Sequence, residues 1–168
     1  MGGRRPGVAF PVLIVLLLWL AAGLRWHALD GQSLWADEGN SVALARAGLA
    51  EIAARTAQDI HPPLYYWLLH GWMRLFGASE AAVRALSAFA AVLLVAVVMR
   101  LARRLFGRRA GWVAGLAAAV SPFQIYYAQE ARMYALLALL AALAVWAAAE
   151  MLPPGRPEIG RASCRERV

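Results

Sequence analysis

AAVRALSAFAAVLLVAVVMRLARRLFGRR, residues 81–109, is the stretch whose reading decides the fold. Residues 81–99 carry one charge, Arg84, and are long enough to cross a bilayer at roughly 20 residues per span. Arg84 lies near the start of that run, where a long side chain can reach back toward water. The ten residues that follow hold Arg100, Arg103, Arg104, Arg108 and Arg109 and no acid. An acid-free arginine cluster beside a span marks the cytoplasmic side. This one stretch therefore predicts both a crossing and its direction.

The whole chain has the composition that such a reading needs. Of its 168 residues 62% are hydrophobic and only 16% are charged, against about 25% charged in an ordinary soluble domain. Mean hydropathy is +0.55. The net charge of +7 comes from arginines set between apolar runs, not from a separable basic domain, so it argues for orientation in a membrane and against nucleic-acid binding. Cys164 is the single cysteine and supports neither a disulfide scaffold nor a thiolate metal site.

Working outward, residues 8–24 form an apolar run behind Arg4 and Arg5. A cleaved signal sequence has the same look, with Ala21, Ala22 and Gly23 as small residues, but the equally apolar runs that follow make an uncleaved first span the better reading. Residues 110–127 and 133–149 supply two further spans. The outcome is an all-α polytopic membrane protein with four spans, at about 8–24, 81–99, 110–127 and 133–149. With the arginine cluster inside, residues 25–80 and the segment 126–134 share the outer face.

Within residues 25–80 the chain is polar and mixed, with four Arg, six acids and three His. Residues 42–57 read as a short amphipathic helix, with Val42, Ala45, Leu49 and Ile52 on one face. Residues 64–76 interleave Tyr65, Tyr66, Trp67 and Trp72 with His70 and Arg74, a pattern suited to an interfacial helix. The tail 153–168 is rich in Pro, Gly and Arg and departs from the Ala/Leu bias of the rest. It reads as partly non-native, with native sequence ending near Pro157 in a truncated chain.

Three polar groups gather on the outer face. Asp37 and Glu38 are adjacent, so their side chains point in different directions and serve different partners. His61 precedes Pro62 and Pro63, a natural helix start, and can bind an anion, a metal or a carboxylate. Gln129, Glu130 and Arg132 lie at the end of a span, where charge is costly unless paired, solvated or functional. Each group also has a plain reading, as a solvated loop pair, a turn histidine and an interfacial helix cap. No ligand spacing is diagnostic of a metal, so a divalent cation is possible but not required.

The motifs together carry a resemblance. Asp37-Glu38 in the first outer loop, His61-Pro62-Pro63-Leu64-Tyr65-Tyr66, and Tyr127-Ala128-Gln129-Glu130-Ala131-Arg132-Met133-Tyr134 resemble the N-terminal part of GT-C membrane glycosyltransferases. The similarity is to the bacterial family 39-like enzymes, which include protein O-mannosyltransferases, lipid A aminoarabinose transferases and Rgt-type lipopolysaccharide sugar transferases. It covers roughly residues 8–150.

The resemblance implies a hexosyl- or pentosyltransferase in the bacterial inner membrane. Its partners would be a polyprenyl-phosphate sugar donor, a lipid, glycolipid or protein acceptor, and membrane lipids. It implies catalytic roles for Asp37, Glu38 and Glu130, and substrate contacts from His61, Tyr65, Tyr66, Tyr127, Gln129, Arg132 and Tyr134. The family's proteins are several times longer than this chain. A transporter or a non-catalytic membrane subunit is the competing class. A transporter needs polar groups or broken helices near the midplane, whereas here the polar groups collect at one face.

Overall fold

The computed structural model describes residues 9–151. Among them are eight helices and no strand: α1 (Ala9–Trp26), α2 (Ala36–Ala45), α3 (Leu49–Thr56), α4 (Leu64–Phe76), α5 (Glu80–Phe106), α6 (Arg108–Val120), α7 (Pro122–Ala128) and α8 (Tyr134–Met151). Arg4, Arg5 and the tail 153–168 lie outside the described residues.

Helix α5 is the axis, with α1, α6 and α8 packed around it. At 27 residues it is about 40 Å long. Helices α5 and α8 are long and apolar enough to cross a membrane, and α1 contributes the shorter apolar run Pro11–Trp26. Large apolar side chains such as Leu16, Trp19, Leu93, Val113, Leu137 and Val145 stand exposed on these helices. Water would penalise such faces, whereas lipid solvates them.

The α5–α6 connection turns on Gly107, whose φ of +92° is a conformation that favours glycine. The two helices then run antiparallel in close contact through Gly111 and Gly115. A Cβ on Gly111 would meet Arg103 Cβ at 2.8 Å, and one on Gly115 would meet the Met99 side chain at 3.1 Å. Small residues four apart let helix backbones approach in this way in a membrane.

The expected span 110–127 is interrupted. Ser121 adopts φ −62°, ψ 118° and ends α6, and Pro122 opens α7. Proline disfavours a helical conformation in the residue before it and has no N–H for the carbonyl four residues back. Arg25, fully buried near the end of α1, takes up the carbonyls left over. Its Nη1 donates to Ala119 O at 2.9 Å and Ala21 O at 3.1 Å, and its Nη2 to Ala118 O at 2.9 Å.

Helices α2–α4 form a cap at the end of the bundle where α5 and α8 begin. They have a core of their own, in which Val42, Ala45, Ile52, Tyr65, Tyr66 and Leu69 pack against Val83 and Ala131. The single helix expected over 42–57 is instead two. The first begins six residues earlier, at Ala36, and the chain breaks before Gly48, which caps α3 in an extended conformation. His70 Nδ1 donates to Ala45 O at 2.8 Å and Trp67 Nε1 to Leu49 O at 3.0 Å. Helix α4 thus satisfies carbonyls on both sides of that break.

Candidate active site

The early start of α2 places Asp37 and Glu38 in its first turn, where the helix dipole favours carboxylates. Adjacent helical residues diverge by about 100°, and the two acids meet different arginines.

Glu38 turns inward and is 1% exposed. Arg84 grips it as a fork, Nε to Oε1 at 2.9 Å and Nη2 to Oε2 at 2.7 Å. The Ala131 N–H adds a bond to Oε1 at 2.8 Å and the Trp35 N–H one to Oε2 at 3.4 Å. Burial alone would raise the Glu38 pKa, but the Arg84 fork and these N–H donors outweigh it and hold the carboxyl below its ordinary value. Arg84 does not reach back toward water as expected from its position. It is buried, and it also donates to Leu29 O at 2.6 Å, Gln32 O at 2.8 Å and Ser33 O at 3.3 Å. One ion pair thus ties together α2, α5, the loop after α1 and the loop before α8.

Asp37 points to the other side, its carboxylate 42% exposed, and pairs with Arg132 at 3.0 Å (Nη1 to Oδ2). Arg132 does not lie on a continuous helix. Residues 129–133 form a non-helical loop between α7 and α8, and this freedom lets the guanidinium reach Tyr134, two residues on. Nη2 donates to the Tyr134 hydroxyl at 3.2 Å, and the guanidinium lies over that ring at 5.4 Å. Among the described residues Arg132 Nε is buried without a hydrogen-bond partner.

Glu130 turns away from Arg132 into a cavity of about 520 Å³, lined by Gln32, Trp35, Glu38, Arg84, Tyr126 and Gln129 among others. That volume suits a small-molecule site. Burial raises the Glu130 pKa, the nearby Glu38 carboxylate raises it further, and the Tyr126 hydroxyl partly offsets both. Two carboxyls on one cavity are thereby pushed in opposite directions. Ala131, fully buried, separates the Glu130 side from the Arg132 side.

The remaining expected residues divide into those near Arg132 and those that support it. His61 Nδ1 lies 2.9 Å from Asp59 Oδ2, and the Asp59 pKa is lowered by that contact first and by other donors and charges, Arg132 among them. Tyr66 is buried and also feels the Arg132 charge. The Tyr65 hydroxyl donates to Ser87 Oγ at 3.2 Å, and Ser87 donates in turn to Arg132 O at 3.1 Å. Tyr65 therefore props the Arg132 backbone and is 2% exposed. Gln129 Nε2 donates to His27 O at 2.9 Å, fastening the loop to the end of α1. Tyr127 stacks edge-on against Phe123 and Tyr134, and these rings line a groove of about 220 Å³ with Ala135 and Ala138.

Sequence reasoning missed the roles of Arg84, Ser87, Asp59 and Arg25. The two arginines had a usable signal, a lone charge close to the end of an apolar run, which must find a partner or reach water. Ser87 and Asp59 had none. Among the described residues no three His, Cys, Asp or Glu side chains come together as a metal cage.

Compared with protein families, residues 60–158 match the one described as dolichyl-phosphate-mannose-protein mannosyltransferase. The match takes in His61, Glu130 and Arg132, while Asp37 and Glu38 precede it. No curated protein and no solved structure matches the chain.

Proposed function

We propose, because the chain belongs to the dolichyl-phosphate-mannose-protein mannosyltransferase family of GT-C membrane glycosyltransferases, that its Asp37–Arg132 pair works on a polyprenyl-phosphate-linked sugar at the outer face of the membrane. The observation that carries this reading is the Arg132 guanidinium, shared between Asp37 and Tyr134 with its buried Nε–H left for a further acceptor. A phosphate oxygen suits that donor, since a guanidinium fork matches phosphate geometry. The aromatic groove of Phe123, Tyr127 and Tyr134 begins at the same tyrosine. It would take the first isoprene units of the donor.

In the proposed step the acceptor hydroxyl oxygen bonds to the anomeric carbon as the bond from that carbon to the phosphate oxygen breaks. The proton of the hydroxyl passes to Asp37, and the polyprenyl phosphate leaves with the bonding pair, inverting the sugar. A phosphate is a good leaving group, so a single carboxylate base suffices. Negative charge moves from Asp37 to the phosphate while Arg132 stays beside both. That is stabilisation of charge as it develops. Glu38 has its capacity committed to Arg84, Ala131 and Trp35, so its role is to position Asp37. The acceptor is a lipid, glycolipid or protein hydroxyl, and Glu130, in the cavity across Ala131, holds a part of it away from the reacting hydroxyl.

Transfer from a labelled polyprenyl-phosphate sugar by the full-length protein in liposomes tests this. Asp37→Asn should keep donor binding and slow turnover about 10²–10⁴-fold, the usual worth of a positioned general base. Arg132→Ala should weaken donor binding and slow transfer together. Near-native transfer by the Asp37 variant would remove it as the base.

A further inference from the structure

At the end of the bundle away from Asp37, α1, α5 and α6 enclose another cavity, of about 230 Å³. Its wall has two parts. Ile14, Ala96 and Met99 make an apolar floor, and three basic residues, Arg100, Arg103 and Arg108, line the rest. The close approach of α6 at Gly111 builds the site, because any side chain there would collide with Arg103 Cβ at 2.8 Å and Met99 O at 2.9 Å. Helix α6 starts at Arg108 with no acid in its first turn, so its positive end adds to the field. Nearby, Arg104 is paired with Glu150 at 3.6 Å, and Arg100 lies over the Trp146 ring at 5.5 Å.

We propose that this cavity holds the phosphate headgroup of an anionic phospholipid, with the start of an acyl chain on Ile14 and Ala96. Basic pockets between membrane helices recognise such headgroups. The apolar floor decides between sources of phosphate. A free phosphate ion would gain only at the guanidiniums and lose hydration against Met99 and Ile14, whereas a lipid gains at the guanidiniums and along the floor. The site is separate from the transfer chemistry and stands whether or not the proposed catalytic roles hold.

Native mass spectrometry of the full chain, titrated with dioleoyl phosphatidylglycerol or dioleoyl phosphatidylcholine, measures the preference. The first phosphatidylglycerol should bind about tenfold or more tightly than phosphatidylcholine. The Arg100→Gln/Arg103→Gln/Arg108→Gln variant should bring the two within about twofold. Ala96→Phe keeps every charge and fills the floor, and it should also lose the preference. Arg74→Gln, an exposed change on α4, should retain it. Persistence of the preference in the triple variant would overturn the proposal. So would an unchanged preference in the Ala96 variant, which would mean diffuse attraction without a cavity. Displacement of the lipid by millimolar inorganic phosphate would overturn it in favour of a free-anion site.

Discussion

Glu38→Gln leaves the Arg84 guanidinium buried with its charge uncompensated, a change worth about 3–5 kcal/mol when one partner of a buried pair is removed. Thermal unfolding in detergent should show that loss, and Arg84→Gln a loss at least as large because three carbonyls lose their donor as well. The pH dependence of stability separates Glu38 from Glu130. The folded Glu38 carboxyl titrates below the ordinary 4.5, so its contribution is complete above that value and is lost as pH falls through the folded pKa. Glu130 titrates above 4.5 when folded, so it costs nothing in acid and its penalty grows as pH rises from 4.5 through the folded pKa. Unfolding midpoints measured across pH should therefore lose their acid arm in Glu38→Gln and their decline above pH 4.5 in Glu130→Gln. The identity of these residues was legible in the sequence, but their division of labour was not. Adjacent acids announce that they diverge, yet which one meets a buried arginine depends on where α2 begins.

The break between α6 and α7 is an element-scale device with a measurable coupling. Arg25→Met should uncover the Ala118 and Ala119 carbonyls at about 1–3 kcal/mol for each buried group left unsatisfied. Pro122→Ala restores an N–H that can bond Ala118 O. In that background Arg25→Met should cost less than in the parent, and a double-mutant cycle read by thermal unfolding gives the difference. Additive costs would show that Arg25 does not serve the break. Helix α4 was legible to the residue, since Pro63 precedes its first turn and Gly77, at φ +84°, ends it. Helix α2 was not, because residues 36–41 lack the apolar repeat that marks a helix and are fixed by Glu38 meeting Trp35, Arg84 and Ala131. The 129–133 loop was hidden for a related reason. It sits between two apolar helices, and contacts made across the whole chain fix its shape.

Over the whole molecule, the arginine-lined cavity and the Asp37–Arg132 pair occupy opposite ends of one bundle, so orientation decides which leaflet each meets. Introduced cysteines in a Cys164→Ser background, at Ala50 on α3 and at Arg109 on α6, both exposed positions, report it in intact cells. The membrane-impermeant reagent should label position 50 and spare position 109 until the membrane is opened, and the reverse pattern would invert the topology. The bundle's helices were largely readable from hydropathy, as α5 and α8 illustrate. The site between them was not, because it is assembled from four separate segments. That assembly has a temporal side. Glu38 waits for the amide of Ala131, 93 residues further along. Ribosomes add about 5–20 residues per second, so the newborn carboxylate spends roughly 5–20 s without its last donor. About midway through that interval Arg84, 46 residues after Glu38, is made and able to hold it. The ion pair therefore comes before the finished site in the order of synthesis, and Arg84 holds Glu38 until the Ala131 amide joins it.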